Sequence, residues 1–541
     1  MNRRTFLGLQ PQESSSIAVT SASVERPPQP QSWGIAEINH LYHRLGFSAT
    51  MDDINLCLNK TPSEVIDMLM DDSLTSEGMP DPPPYHEPWI QAQPYTGPVY
   101  EIAHEEDMLQ HTIKMDLRMW WTCLMMDSRT QLREKLTFFW HNHFVIEEVK
   151  VYFGLHLYRY FQYLRSNAWG NVKQMVKDIT IMPAMLKYLD GVFSEKTMIN
   201  ENYAREVLEL FTMGISDRHG NKNYTQEDIH NLAFAFTGWR YRFEEPPPEV
   251  IPPYFADYYF DFQTKRSIFG SEPKIVGLFA ANDSRIEVDA IELLFERRGP
   301  AIAWHIAEKV YKNFVYMGDR TADEDEIIQS LADTLVESDW ELKPMLVKLF
   351  KSQYFFDPMH RGGAIKSPYE FMMGLFRKLN IPISFFEAGT LNWYGADTGQ
   401  WLDSPTNVKG WVGYRTWLNT ATLPKRITDI IRALVLGGSI EGKIINPHDG
   451  FYFPGIPFTD EQVIAWAKQF TSYDGDLITF TGDMNDFLLS LPLSLKRLEE
   501  AIKRAGIQHV YEWPMLNDAA RVQPIRRILY ELLTAPEFQL A

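Results

Sequence analysis

Residues 200–214, NENYAREVLELFTMG, decide how this chain is read. On a helix, Asn202, Arg205, Glu206 and Glu209 fall at i, i+3, i+4 and i+7 and share one stripe. Ala204, Val207, Leu208, Leu210 and Phe211 cover the other side, and Gly214 follows the last apolar residue, where a helix stops. Such a stripe is either a solvated polar face or a buried carboxylate–guanidinium–amide cluster.

Helical period extends from this stretch in both directions. Thr61-Pro62-Ser63-Glu64 and Ser367-Pro368-Tyr369-Glu370 are capping boxes with proline at the first helical position. Helices are expected over 35–45, 51–58, 101–127, 129–140, 156–164, 172–189, 285–296, 300–316, 323–336, 340–351, 411–423, 425–436 and 521–533. Residues 240–281 break the pattern with short aromatic and β-branched runs between Pro, Gly and charge. The expected fold is mainly α: a large multi-helix array with a small β-hairpin insertion around 239–281. Residues 1–33 read as a lead-in and 34–541 as a single large helical domain with a helical C-terminal part, 459–541. Residues 78–98 (PDPPPYHEPW at their centre) and 437–457 read as loops.

The composition suits a globular protein: among 541 residues, 45% are apolar and 23% charged. A net charge of −19 disfavours nucleic acid and anionic membrane as partners but leaves room for a local basic pocket. The 15 Trp mean either an aromatic core or a stacking surface for sugars. Cys57 and Cys123 lie in apolar helical runs and read as free thiols, with no disulfide framework or thiolate zinc motif. No apolar run reaches the ~20 residues of a membrane span. Arg3-Arg4 with Phe6-Leu7 is like a twin-arginine export start, yet residues 10–32 lack the apolar segment such a signal needs, so exported and cytoplasmic locations both stand.

Two further stretches hold candidate chemistry. In 133–144, REKLTFFWHNHF, Glu134, Phe138 and His141 share a helix face. If the helix runs on through Phe144, His141 and His143 point about 160° apart and cannot share a metal. If it ends near Trp140, the extended spacing lets them. In 406–411, TNVKGW, a Lys before Gly offers an anion-binding corner or a solvated loop.

These stretches occur in the order RLGF, REKLTFFWHNHF, NENYAREVLELFTMG, YTQEDIHNLAFAFTGW, RRGPAIAWHIAEKVYKNFV, WELKPML with KSPYEF, and SPTNVKGWVGYRTWLNTATLPKR. The series resembles the bacterial family called domain of unknown function 1800, over residues 35–538. The resemblance implies a mostly helical, often exported protein, and a phosphatase- or sulfatase-like protein as a neighbour and partner. It implies no reaction. A His-Asp pair frequent in such proteins is incomplete here, where the segment reads Tyr258-Tyr259-Phe260-Asp261-Phe262.

Three functional readings follow. In the first, a hydrolase-like enzyme acts on a glycan or ester. Its catalytic set is Glu134, His141, His143, Arg205 and Glu206, which either hold a divalent metal through His141, His143 and Glu206 or work as a metal-free acid–base pair. Asn202, Asn407, Lys409, Trp411 and Arg415 hold the substrate. In the second, the same residues are buried structural networks of a non-catalytic partner or assembly protein. In the third, exposed Trp side chains form a carbohydrate-binding scaffold.

Overall fold

The computed structural model describes residues 33–71, 99–241, 253–318, 321–446, 451–507 and 510–541. The twin-arginine-like start and the proline-rich 78–98 segment lie outside the described residues. The chain is mainly helical. In order run α1 (Ile35–Leu45), α2 (Met51–Leu58), α3 (Pro62–Leu69), α4 (Val99–Met126), α5 (Gln131–His143), α6 (Gly154–Ser166), α7 (Val172–Ile181), α8 (Pro183–Tyr188) and α9 (Glu201–Glu206). α10 (Gln226–Ala235), α11 (Ala290–Phe314), α12 (Ala322–Glu337), α13 (Leu342–Phe350), α14 (Pro368–Lys378) and α15 (Phe385–Asp397) follow. The last part holds α16 (Asp460–Ala467), α17 (Leu477–Leu488), α18 (Leu495–Arg504) and α19 (Asp518–Leu533). One apolar cluster runs from Ile38 to Leu540. No described helix is long and apolar enough to cross a membrane.

Helix starts follow the local chemistry. Thr61 Oγ1 accepts from Glu64 N and the Glu64 carboxylate accepts from Thr61 N, closing the box read from sequence. Ser367 and Glu370 do the same at α14.

The chain departs from its sequence pattern in four places. Expected helices 285–296 and 300–316 are one helix, α11, with Pro300 inside it. Pro300 is exposed, so the backbone bond it forfeits faces water, while Leu294, Ile302 and Ile306 keep both halves on the core. The expected helix 172–189 breaks before Pro183 into α7 and α8. The expected helix 411–423 is largely irregular, because Gly410 and Gly413 take φ of +83° and +71°. The 437–457 loop instead contains two antiparallel ribbons, Ser439–Ile440 with Ile456–Pro457 and Lys443–Asn446 with Phe451–Phe453. The insertion after Trp239 pairs only two residues at a time: Trp239–Arg240 antiparallel to Tyr254–Phe255, and Val276–Gly277 parallel to Val288–Asp289. It is held by its own small cluster of Phe260, Ile275 and Ile286.

α5 lies deepest. Every residue on it except Asn142 is buried, although five are ionisable, Arg133, Glu134, Lys135, His141 and His143, and Gln131 is polar. Such burial is tolerated where partners are supplied. Gln131 accepts from Phe47 N at 2.8 Å and donates to the Met125 and Asp127 carbonyls, both at 2.8 Å. Lys135 pairs with Glu370 of the second capping box. Nearby, Arg377 donates to Asp53 at 2.8 Å and to Ser48 O at 2.8 Å. Its side chain is 1% exposed and that of Asp53 is 6% exposed. Arg377→Met strands the Asp53 charge in this interior and is expected to lower stability by about 3–5 kcal/mol in urea unfolding. A loss under about 1 kcal/mol contradicts a buried pair and fits a solvated one.

Candidate functional site

The 200–214 stretch is not one uniform α-helix. Asn200 caps α9 by accepting from Asn202 N at 2.8 Å. From Val207 to Thr212 the ladder widens to a π-helix, with Thr212 Oγ1 donating to Val207 O at 2.6 Å. Gly214, at φ +74°, ends it. A Cβ there would lie 3.0 Å from His305 Nδ1, so glycine is required both for conformation and for the approach of α11.

The last carbonyls of this helix are capped by side chains from two other helices. His143 of α5 meets Phe211 O at 3.0 Å. His305 of α11 meets Leu210 O at 3.3 Å, and Lys309 donates to the same carbonyl at 3.0 Å. A carbonyl only accepts, so His143 carries its proton on Nε2 and offers Nδ1 to Lys309, 3.0 Å away. A cation at a helix C-terminus is favoured by the peptide dipoles. Burial nonetheless pulls the Lys309 ammonium down to about 8, and burial first, with Lys309 second, holds His305 down at about 3. Burial, then Lys309, keeps His143 well below the usual imidazole range. Both rings are neutral at pH 7.

On the other side of α5, His141 sits in an aromatic box. Its ring centroid is 4.7 Å from Phe161, 5.4 Å from Trp411 and 5.8 Å from Trp121. Neither ring nitrogen has a hydrogen-bond partner, and burial pulls its pKa down to about 3. Two turns back, Glu134 is fully buried and accepts from Arg165 Nε at 2.6 Å and Trp121 Nε1 at 3.1 Å. Asn142 Oδ1 accepts from Trp411 N at 2.8 Å, and Trp411 stacks on Phe138 at 5.7 Å. Gly410 packs so closely that a Cβ would run into the Asn142 side chain.

The structure thus brings the 133–144, 200–214 and 406–411 stretches together, but not as a metal site. α5 runs through His143, so His141 and His143 diverge, one into the aromatic box and the other onto Phe211 O and Lys309. Glu206 stands on the half-exposed rim. The set His141, His143 and Glu206 does not converge, and no three His, Cys, Asp or Glu side chains among the described residues gather to hold an ion. Glu134, which shares a helix face with His141, pairs instead with Arg165. Both cysteines are free thiols.

The remaining candidates lie on the surface. Arg205, 36% exposed in its side chain, bridges Glu201 at 3.5 Å and Glu209 at 3.9 Å. Glu206 has its carboxyl pushed up by burial and by Glu209, against the pull of Lys409 and Arg205. Asn202, Asn407, Lys409 and Arg415 are exposed, and Asn407 Oδ1 accepts from Lys409 N at 2.8 Å. Trp411, expected to hold substrate, is buried. The sequence reading missed His305, Lys309, Asn142 and Arg165. His305 and Lys309 were legible as an i, i+4 pair within RRGPAIAWHIAEKVYKNFV.

A family model described as a protein of unknown function (DUF1800) matches residues 40–540. The chain belongs to this family. No curated protein and no solved structure matches it. In this DUF1800 protein three of the stretches named above, 133–144, 200–214 and 406–411, meet around α5 and the π-helical end.

His141 gives a titration test. Its pKa is near 6.5 when unfolded and about 3 in the fold, so acid protonates the unfolded chain first. The stability of the neutral ring is complete above 6.5 and is lost as pH falls toward 3. At about pH 5.5 that loss is about 1.4 kcal/mol. His141→Phe removes the titration and the two orphan nitrogens. Its advantage over wild type should grow by about 1.4 kcal/mol between about pH 7.5 and about pH 5.5 in urea unfolding. An advantage that does not change with pH contradicts a sealed, neutral ring.

Proposed function

We propose that this DUF1800 chain is a non-catalytic binding or assembly protein in which the family stretches are structural networks. The observation that carries this reading is the sealing of Glu134, His141 and His143, which are 0%, 0% and 3% exposed. A substrate cannot reach them without unpacking α5. Their hydrogen bonds and aromatic contacts instead hold five helices and the 406–411 turn in register. The phosphatase- or sulfatase-like protein implied by the family resemblance is the partner to test. Carbohydrate stacking has less support: among the described Trp residues only Trp401 is exposed.

A second reading, a hydrolase acting on an ester or glycan, is favoured by one feature. Glu206 is a reachable carboxyl raised by burial and by Glu209, with Lys409 nearby. This is the environment of a general acid.

Two substitutions separate the readings. Glu134→Ala strands Arg165 and Trp121 and should lower stability by about 3–5 kcal/mol. Glu206→Gln should move it by less than about 0.5 kcal/mol. No hydrolysis of chromogenic ester or glycoside substrates should be removed by Glu206→Gln. Turnover that falls about 100-fold or more in Glu206→Gln, with stability intact, overturns the non-catalytic reading.

A further inference from the structure

A cleft of about 610 Å³ opens between the 213–223 loop and α11. Its charge runs against that of the chain. Arg218, Lys222, Arg297 and Arg298 line it, in a protein of net charge −19. Two carboxylates also line it, and both are occupied. Asp217 accepts from His219 N at 2.8 Å, Asn221 N at 2.9 Å and Asn221 Nδ2 at 3.0 Å, closing the loop on itself. Glu308 pairs with Lys312 at 2.7 Å.

The cations are less engaged. Among the described residues neither Lys222 nor Arg298 is in an ion pair. The Arg298 guanidinium lies over the Phe269 ring at 5.1 Å, and its buried Nε has no hydrogen-bond partner. Arg218 is held against the Trp304 ring at 5.2 Å and donates to Gln329 at 3.1 Å, which fixes it at the cleft wall. His305 also lines the cleft. Its Nε2–H is committed to Leu210 O, so Nδ1 is an acceptor. Arg297 bridges Glu296 at 3.6 Å, whereas Lys222 and Arg298, cations without a carboxylate partner in a concave site, are stabilised when an anion enters. A guanidinium matches a tetrahedral oxyanion with two parallel donors, which a lone ammonium does not.

We propose that this cleft binds a small hydroxylated ligand bearing a phosphate or sulfate ester. Arg298 and Lys222 hold the oxyanion, Arg218 lies at its edge, and His305 Nδ1 accepts from a ligand hydroxyl. The volume suits a small molecule. The acidic remainder of the chain repels long polyanions, which disfavours nucleic acid and anionic bilayers. The cleft shares His305 with the cap on Leu210 O, but Glu134, His141 and His143 do not line it, so the proposal stands whether the chain binds or catalyses.

Isothermal titration of the full chain with glucose 6-phosphate, glucose 6-sulfate and unmodified glucose tests this. One of the two esters should bind saturably at one site per chain, and the tighter one identifies the ester. Glucose should not bind. Arg298→Met, with or without Lys222→Met, should weaken binding at least about tenfold, equivalent to about 1.4 kcal/mol. The melting temperature reports that each variant is folded, and Lys496→Met, at an exposed position far along the chain on α18, serves as a surface-charge control that should bind as wild type does. No saturable binding of either ester, binding of glucose as tight as its esters, or ester binding unchanged in the folded double variant overturns the proposal. So does binding confined to duplex RNA or anionic vesicles.

Discussion

The end of the π-helix is the point on which the surrounding architecture depends. A helix that stops inside a protein leaves carbonyls that water cannot reach, and each needs a donor. Here Leu210 O and Phe211 O receive theirs from His143, His305 and Lys309, which belong to α5 and α11. Satisfying two carbonyls therefore fixes three helices relative to one another. It also explains Gly214, whose positive φ disfavours any side chain and whose Cβ would press on His305 at 3.0 Å from Nδ1.

The same logic covers the rest of the buried polarity. Glu134 with Arg165, Lys135 with Glu370, Arg118 with Asp403 and Arg377 with Asp53 are charges inside an apolar core, each matched by an opposite charge. Such pairs add little net stability over apolar packing, but breaking one is severe. They specify which helices meet. Glu370 shows the economy of the arrangement: it closes the capping box of α14 and neutralises Lys135 of α5. His141 is an exception, a polar ring held without partners among Phe161, Trp411 and Trp121, and its neutrality is what makes that position tolerable.

Much of the fold was legible. Thr61 and Ser367 announce helix starts because their side chains must accept from the third residue on. Pro300 misled because proline breaks helices in general but is tolerated where its lost bond faces water. The 411–423 run misled because its apolar spacing is helical while its glycines take left-handed φ. The site was legible only in part. The stretches that converge were recognised, but periodicity places residues on a helix face without saying what that face meets. His141 and His143 therefore looked like one site and belong to two. The π-helical turns at Val207–Thr212 and Arg426–Arg432 were invisible, since no residue type marks them. His305 and Lys309 passed unnoticed because their partners are backbone carbonyls rather than side chains.

The central claim is that His143 and Lys309 act as one unit on the end of the π-helix. A double-mutant cycle in urea unfolding, with His143→Phe, Lys309→Met and the pair, tests it most directly. The account predicts a coupling of about 1 kcal/mol or more, because removing either partner leaves less for the other to lose. Additive effects, within about 0.3 kcal/mol, would contradict it.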